Sequence, residues 1–353
     1  MKSQINKIFV AKYFILLLII VGLFGGLLYL RSKSQAPLLQ RNFTTMGTFL
    51  TISVYPQEPA TERAISAAYQ EIERINKVFS TYREDSLTSR LRKARGETVE
   101  ITPEFYKLLE RAQKIYHQTD GKFDITVGPL VDLWGFYREN QQLPEPDQID
   151  AKKQLVGFDQ INFSDSHARL GMPGMRLDFG ALAKGYAVDR AAAILVEQGL
   201  ENFLINLGGN IYAAGQSPDN QPWRIGVQNP RAEKIDGIVE LSNSGVGTSG
   251  DYERTFIHEG QRYSHIIDPM TGYPLQGVAA TTVVAEDALT ADILSTALYL
   301  TGDTRGWKNL DANKFMLVRT ENGELNYYST ESFQNLFIEK DVDFNFKTVQ
   351  LIK

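Results

Sequence analysis

The chain has 353 residues, of which 43% are hydrophobic and 22% charged, a composition typical of a folded globular protein. It contains no cysteine, which excludes disulfide scaffolds, thiolate zinc sites, iron–sulfur clusters and lipid-modified cysteine anchors. Four histidines without an H-E-x-x-H sequence argue against a dedicated zinc enzyme, and the net charge of -5 argues against a general nucleic-acid binder.

The first predicted element is an apolar segment, residues 13–30, which holds no charged side chain and has basic residues on both sides. As a helix it would span roughly 27 Å at about 1.5 Å per residue, close to the hydrocarbon core of a thin bilayer. We expect residues 1–36 to form an uncleaved single-pass membrane anchor, with residues 37–353 outside the cytoplasm. The alternative is a signal peptide cleaved after Ala36, for which this apolar run is long.

The next part of the chain predicts one strand, two helices and a loop. Alternating apolar residues indicate a strand over residues 44–55. Apolar residues at spacings of three and four predict a helix over residues 64–79. A second helix is predicted over residues 103–118, with Thr102 as its N-cap and a proline in its first turn. Residues 139–153 are polar and contain two prolines, so we expect an exposed loop there.

The C-terminal half combines helices with many short strands. One helix is predicted from Asp178 to Gly199, and another from Asp287 to about Leu300. Strands are predicted over residues 201–206, 223–228, 237–242, 253–258, 262–267 and 278–285. Asn322-Gly323, between two apolar runs, predicts a hairpin turn. The fold class expected is α+β, with mixed or antiparallel sheets and packed helices, rather than a doubly wound parallel sheet.

The common nucleotide-binding and hydrolase motifs are missing. There is no G-x-x-x-x-G-K-[ST] sequence and no G-x-G-x-x-G after a strand, and residues 247–250 do not fit G-x-S-x-G. A P-loop kinase, a Rossmann oxidoreductase and an α/β-hydrolase are therefore disfavoured.

An anion site is one interpretation of the segment that begins at Asp178. The segment places this carboxylate just before a predicted helix and Lys184 in the first turn of that helix. A helix start presents unpaired N–H groups and a positive dipole end, to which a lysine adds charge. The alternative is that Asp178 is only an N-cap and Lys184 a solvated side chain.

Two further segments combine a turn with a polar group. Paired glycines at residues 208–209 interrupt a strand, which indicates close approach of a ligand or of another backbone, or a β-bulge. His265 lies at a strand end before a Pro/Gly turn. It could act as a general base because the ordinary histidine pKa lies near neutrality, or it could be structural.

The predicted helix at Asp287 carries the most informative spacing. Asp292 and Thr296 are four residues apart, so their side chains project from one helical face. Two such oxygens can bind a hard cation such as Mg²⁺ together with substrate phosphate. Alternatively, Thr296 donates to the backbone carbonyl of Asp292, as mid-helix threonines often do.

Taken together and in this order, these segments resemble the FAD:protein FMN transferase family of the ApbE type. The resemblance extends over residues 43 to about 302. The matching segments are residues 46–48, 123–130, 133–136, 178–189, 206–210, 247–254, 265–272 and 291–296.

The resemblance implies a Mg²⁺-dependent enzyme that cleaves FAD, attaches FMN through a phosphoester bond to a threonine or serine of a target flavoprotein, and releases AMP. It implies that Asp292, Thr296 and the backbone carbonyl of Ala181 bind the metal and that His265 is the base. The residues that it places in contact with FAD are Met46, Phe123, Asp124, Asp178, Lys184 and Gly209. Family members are often lipoproteins, whereas this chain has no cysteine to acylate, so segment 13–30 would replace the lipid.

Aromatic residues could offer faces to the flavin or the adenine, and Tyr186, Tyr252 and Trp134 are candidates, although Trp134 equally fits core packing. Three other functions are compatible with parts of the sequence. The same pocket with water as acceptor would be an FAD pyrophosphatase. Binding without turnover would give a membrane-tethered flavin carrier, and coincidental motifs would leave a structural surface protein.

Overall fold

The computed structural model describes residues 37–137, 141, 143–302, 310, 312, 314–339 and 346–349. The predicted anchor, residues 13–30, lies outside these residues. In the part of the chain that the structure describes, no helix is both long enough and apolar enough to cross a bilayer.

A nine-stranded sheet forms the centre of the fold, with strand order β1-β2-β6-β7-β10-β13-β14-β15-β17. Its strands are β1 (Leu39–Thr45), β2 (Thr48–Tyr55), β6 (Asn202–Leu207), β7 (Asn210–Ala214), β10 (Ser244–Gly250), β13 (Val278–Ala285), β14 (Phe315–Glu321), β15 (Glu324–Ser329) and β17 (Lys347–Thr348). Neighbouring strands run antiparallel except for the parallel pair β15 and β17.

Three smaller sheets accompany the central one. They are an antiparallel sheet of β3 (Val99–Glu100), β5 (His167–Leu170) and β4 (Ile161–Phe163), the hairpin β11 (Thr255–His258) and β12 (Gln261–Ser264), and a sheet of β8 (Trp223–Gln228), β9 (Ile235–Leu241) and β16 (Phe337–Glu339). The last packs on the central sheet through a second apolar cluster that includes Trp223, Val239 and Phe333.

The helices of the described residues are α1 (Thr61–Phe79), α2 (Leu87–Lys93), α3 (Pro103–Gln118), α4 (Gly128–Trp134), α5 (Pro146–Lys153), α6 (Ala183–Glu197), α7 (Ala288–Thr301) and α8 (Glu331–Gln334). α6 packs between α1 and α7, and α7 lies on β10 and β13. The apolar stripe predicted on α1 is buried in the main core. The α+β class and its antiparallel sheets are confirmed.

Local capping signals predicted several elements correctly. Thr102 accepts a hydrogen bond from the Phe105 N–H and starts α3. Asp287 caps α7 in the same way, and Gly302 ends that helix with a left-handed φ of 63°. The Asn322-Gly323 turn connects β14 to β15 as predicted.

Three sequence-based predictions are wrong. Residues 44–55 form parts of two strands, because Met46 and Gly47 both have positive φ and make a tight hairpin turn between β1 and β2. The predicted loop at 139–153 contains α5, whose proline stands in the first turn, where no N–H is needed. The helix predicted to begin at Asp178 is α6, which begins at Ala183.

Candidate active site

A cavity of about 600 Å³ lies where the β1–β2 turn, β10, α7 and the start of α6 meet. Its volume is typical of a small-molecule pocket. The predicted site residues that line it are Met46, Phe123, Asp124, Asp178, Ala181, Lys184, His265, Asp292 and Thr296. Gly209 does not line the cavity, although its neighbours Gly208 and Asn210 do.

Helix α7 packs directly against two glycines of β10, and this close contact fixes its position beside the cavity. A Cβ on Gly245 would lie 2.6 Å from the backbone nitrogen of Ala288, and one on Gly247 would lie 2.8 Å from the Ala291 carbonyl carbon. α6 holds the start of the helix from the other side. The Asp189 carboxylate accepts hydrogen bonds from the N–H groups of Ala288 and Leu289 at 2.8 and 2.9 Å.

Asp292 is the carboxylate that α7 buries at the cavity wall, with 4% of its surface exposed. Its Oδ2 accepts a hydrogen bond from the Gly185 N–H at 2.9 Å. Burial raises the pKa of Asp292, whereas the Lys184 ammonium, the Gly185 N–H and the Asn210 side chain all favour its ionised form. Asp292 is therefore a desolvated carboxylate with a cation and hydrogen-bond donors near it.

We predict that Gly185→Ala damages both stability and activity. The added Cβ would lie 2.5 Å from the Ala288 carbonyl oxygen and 2.8 Å from the Asp292 Cβ, so α7 has to move. Overpacking of this kind typically costs about 1–3 kcal/mol, more than the gain that alanine brings to a helix. Urea unfolding and a transfer assay measure the two effects. A variant as stable and active as the parent would contradict the tight α6–α7 crossing.

Thr296 follows Asp292 by one helical turn and faces the cavity. Its Oγ1 lies 2.9 Å from Ser249 Oγ on β10. The alternative predicted from sequence, donation from Thr296 to the Asp292 carbonyl, is not the arrangement found. Ser295 donates to that carbonyl instead, at 2.9 Å.

A third oxygen comes from the main chain just before α6. The Gly185 N–H, which a longer helix would direct to the Ala181 carbonyl, goes to Asp292 instead. No donor in the described residues takes up the Ala181 carbonyl oxygen. Among those same residues no group of three histidine, aspartate or glutamate side chains could hold a metal. Asp292, Thr296 and Ala181 thus bring a carboxylate, a hydroxyl and a backbone carbonyl to the lining of one cavity, all hard oxygen donors of the kind that suits Mg²⁺.

Asp178 and Lys184 both hydrogen-bond to Gly180, in the turn that precedes α6. Asp178 Oδ1 accepts from the Gly180 N–H at 2.7 Å, and Lys184 Nζ donates to the Gly180 carbonyl at 2.6 Å. Asp178 is thus a turn-forming residue and not the N-cap of the helix, which is Leu182. Lys184 stands in the first turn of α6, as predicted, and lines the cavity.

Other cations also border the cavity. Lys122 donates to the Thr301 carbonyl, and Arg254 donates to the Gly47 carbonyl at 3.1 Å. With Lys184 they form a set of cations that, among the described residues, donate hydrogen bonds to backbone oxygens rather than to carboxylates. Their charge is therefore available to an anionic ligand, as a pyrophosphate requires. Lys122 and Arg254 had not been assigned a role from the sequence.

His265 is half-buried and lines the same cavity. Its backbone N–H donates to the Arg254 carbonyl, and its Nδ1 is buried without a hydrogen-bond partner. Burial, followed by the positive charges of Arg254 and Lys184, lowers the pKa of His265 to about 4. The ring is therefore neutral near pH 7 and can accept a proton.

We predict that the His265 ring stays neutral well below the ordinary histidine pKa of about 6.5. The measurement is the NMR titration of the imidazole Cε1–H signals in the ligand-free protein, with His265→Gln to assign the resonance. Because the pKa is lowered, the signal should shift only as the pH approaches about 4. A midpoint near 6.5 would contradict the desolvated, cation-flanked position.

The remaining predicted FAD contacts fall into three groups. The Asp124 carboxylate accepts three hydrogen bonds from within the protein, from the Thr126 N–H, the Thr126 hydroxyl and the Phe158 N–H. Met46 and Phe123 line the cavity directly. Gly209 instead forms the β6–β7 hairpin turn with Gly208, and both have positive φ. The paired glycines thus interrupt the strand as predicted, through a hairpin turn and not a β-bulge.

The aromatic candidates named from sequence do not line the cavity. Trp134 is fully buried and donates to the Gly272 carbonyl, which confirms the core-packing interpretation. Tyr186 packs against Phe79. Tyr252 packs against the second apolar cluster.

Tyr82 and Tyr137 line the cavity instead, with ring centroids 5.0 Å apart. The Arg254 guanidinium lies 4.3 Å from the centroid of the Tyr137 ring. Both tyrosines lie in irregular segments without a periodic pattern, so the sequence offered no signal for them.

Comparison with known proteins gives a consistent family. The ApbE family model matches residues 46–317. The FAD:protein FMN transferase of Vibrio cholerae is 33% identical over 327 residues, covering 89% of this chain and 97% of that protein. The FAD:protein FMN transferase of Haemophilus influenzae is 31% identical, and the match covers 88% of this chain and 94% of that protein.

Solved structures agree with these sequence relatives. The crystal structure of the ApbE protein from Thermotoga maritima has a TM-score of 0.78 and 33% identity, covering 86% of this chain and 100% of that one. The structure of the flavin transferase ApbE from Vibrio cholerae has a TM-score of 0.77 and 30% identity, and the match covers 85% of this chain and 99% of that one.

Proposed function

The chain belongs to the ApbE family, and we propose that it is a Mg²⁺-dependent FAD:protein FMN transferase. Its substrates are FAD and a flavoprotein subunit that carries an acceptor threonine or serine. Its products are the subunit with FMN attached through a phosphoester bond and free AMP. The relatives of this chain are named FAD:protein FMN transferases and flavin transferases, which supports the transferase class.

This proposal rests on one observation: three kinds of chemical group line the same cavity. Hard oxygens come from Asp292, Thr296 and Ala181, positive charge comes from Lys184 and Arg254, and a neutral imidazole comes from His265. Phosphoryl transfer depends mainly on positioning and charge neutralisation, so it requires this combination and little covalent chemistry from the protein.

The oxygens of Asp292, Thr296 and Ala181 are the groups that would hold Mg²⁺. Bound there, the ion would neutralise charge on the pyrophosphate. The Gly185 N–H and the Lys184 ammonium oppose the rise in the pKa of Asp292 that its burial causes. Lys184 and Arg254 would neutralise phosphate oxygens that the ion does not reach.

His265 would take the proton of the acceptor hydroxyl. The hydroxyl oxygen forms a bond to the FMN phosphorus, the bond between that phosphorus and the oxygen of AMP breaks, and the proton passes to the imidazole. The half-buried ring is neutral at pH 7 and therefore able to accept it. Because Nδ1 is buried, Nε2 is the nitrogen for this exchange.

We further propose that residues 13–30 anchor the chain in a membrane and that residues 37–353 form the catalytic region on its extracytoplasmic side. The support is the uncharged apolar run between basic flanks. Membrane-bound flavoprotein subunits exposed on the same side would then be within reach as acceptors.

The transferase reaction is tested with purified full-length chain, FAD, Mg²⁺ and a panel of flavin-free threonine-containing flavoprotein subunits. We expect intact-protein mass spectrometry to show an FMN-sized gain on an acceptor, with AMP released and no gain when EDTA replaces Mg²⁺. Substitution of the modified threonine by alanine is the matched control.

Two other results would change the functional assignment. FAD cleaved to FMN and AMP without a mass gain on any subunit would favour the pyrophosphatase, in which water replaces the hydroxyl. FAD bound but intact, with or without metal, would favour a flavin carrier and contradict the enzyme.

A further inference from the structure

A row of three hydroxyl groups connects Thr296 to the main chain of its own helix. Thr296 Oγ1 lies 2.9 Å from Ser249 Oγ, which lies 2.9 Å from Ser295 Oγ, which in turn lies 2.9 Å from the Asp292 carbonyl oxygen. Ser295 is fully buried and Ser249 is 9% exposed, so bulk water competes little for these hydrogen bonds. The row crosses from α7 to β10 and back.

The last acceptor in the row determines the direction of every hydrogen bond. A carbonyl oxygen only accepts, so the single proton of Ser295 points to Asp292. Ser295 must then accept from Ser249, which uses the proton of Ser249. Ser249 in turn must accept from Thr296. Each hydroxyl has one proton, and the geometry leaves one consistent order.

We propose that Ser249 and Ser295 are positioning residues that hold Thr296 with its proton turned to β10 and its lone pairs turned to the cation. This inference rests on the proposed Mg²⁺ site. A neutral hydroxyl binds a cation through its lone pairs, so a proton on the cation side would oppose binding. Groups that orient metal ligands in this way commonly contribute tenfold or more to metal affinity.

The row also removes the competing conformation of Thr296. A mid-helix threonine tends to donate to the carbonyl four residues earlier, which here is that of Asp292. Ser295 already donates to this carbonyl, and Ser249 offers Thr296 another acceptor. Without Ser249 the hydroxyl of Thr296 would lose its acceptor on β10, and its orientation in the cavity would no longer be fixed.

The test measures metal affinity rather than turnover. Full-length protein with saturating FAD is titrated with Mn²⁺, and the free ion is followed by electron paramagnetic resonance. We expect Ser249→Ala to weaken Mn²⁺ binding by about tenfold. Ser295→Ala should weaken it less, because Ser249 can still accept from Thr296. FAD affinity in EDTA, followed by flavin fluorescence, should not change in either variant.

Two further variants show whether weaker Mn²⁺ binding reflects the lost hydrogen-bond acceptor or a disturbed fold. Ser249→Cys keeps nearly the same size but offers a poor acceptor, so it should also weaken Mn²⁺ binding. Ser89→Ala is the matched control, because Ser89 is a buried serine on α2 that does not line the cavity and whose hydroxyl has no partner. It should bind Mn²⁺ like the parent.

The outcomes separate this inference from the proposed function. If Ser249→Ala and Ser249→Cys bind Mn²⁺ like the parent while Asp292→Ala does not, the hydroxyl row is only packing and the metal site stands. If the parent protein itself binds no Mn²⁺, the metal part of the proposed function is wrong and the positioning role is overturned with it.

Discussion

Asp292→Ala is expected to lower FMN transfer by at least about a thousandfold, because the site loses the one carboxylate among the three proposed cation ligands and with it the hold on the cation. Thr296 and the Ala181 carbonyl are neutral and cannot balance a divalent charge. Asp292→Asn should have nearly the same effect, since it keeps the shape and removes the charge. The rate of FMN attachment to the acceptor, followed by intact mass, measures both variants.

The control for this prediction is Asp219→Ala, which removes an exposed carboxylate that does not line the cavity. It should transfer FMN at the parent rate. The unfolding midpoint of each variant shows whether a loss of activity reflects a loss of fold. Full activity in a folded Asp292→Ala protein would make the metal assignment untenable.

His265→Ala is expected to slow transfer by between about a hundredfold and ten-thousandfold, the range usual for the loss of a general base. FAD affinity should remain nearly intact, because the ring is neutral and the cavity keeps Lys184 and Arg254 for the pyrophosphate. Single-turnover transfer rates and flavin fluorescence titrations measure the two quantities separately.

His258→Ala is the matched control for the histidine. His258 is exposed on β11, in the hairpin just before His265, and it does not line the cavity. We expect parent values for both the rate and the FAD affinity. If FAD affinity instead collapses together with the rate in His265→Ala, the histidine is a binding or structural residue and not the base.

Local signals were sufficient for the part of the site that lies on one helix. The Asp287 cap and Gly302 fix the ends of α7, and the spacing of four then places Asp292 and Thr296 on one face. Helix periodicity is a short-range property, so these side chains could be placed without knowledge of the fold. The hairpin at Asn322 follows from local turn chemistry in the same way.

The supporting residues could not be predicted, because they come from distant segments. Ser249 on β10 meets Thr296 only when the strand packs under α7. Tyr82 and Tyr137 meet through two irregular segments 55 positions apart in the chain. The close contact of Gly185 with α7 also depends on the crossing of two helices. No periodic pattern in the sequence encodes such contacts.

Turn glycines and prolines caused the errors in the fold. A strand pattern continues through Met46 and Gly47, although both residues have positive φ and reverse the chain. Methionine rarely adopts such a conformation, so the turn had a weak signal. Likewise, the prolines of residues 139–153 suggested a loop, whereas Pro146 begins α5.

A crystal structure of the protein with FAD and Mn²⁺ would show whether α7 builds a cation site inside the cavity. Anomalous scattering identifies the Mn²⁺ position independently of the protein density. We predict one ion in contact with the Asp292 carboxylate, Thr296 Oγ1, the Ala181 carbonyl and the pyrophosphate of FAD. An ion elsewhere in the protein, or FAD bound with no Mn²⁺ at these three oxygens, would contradict the account.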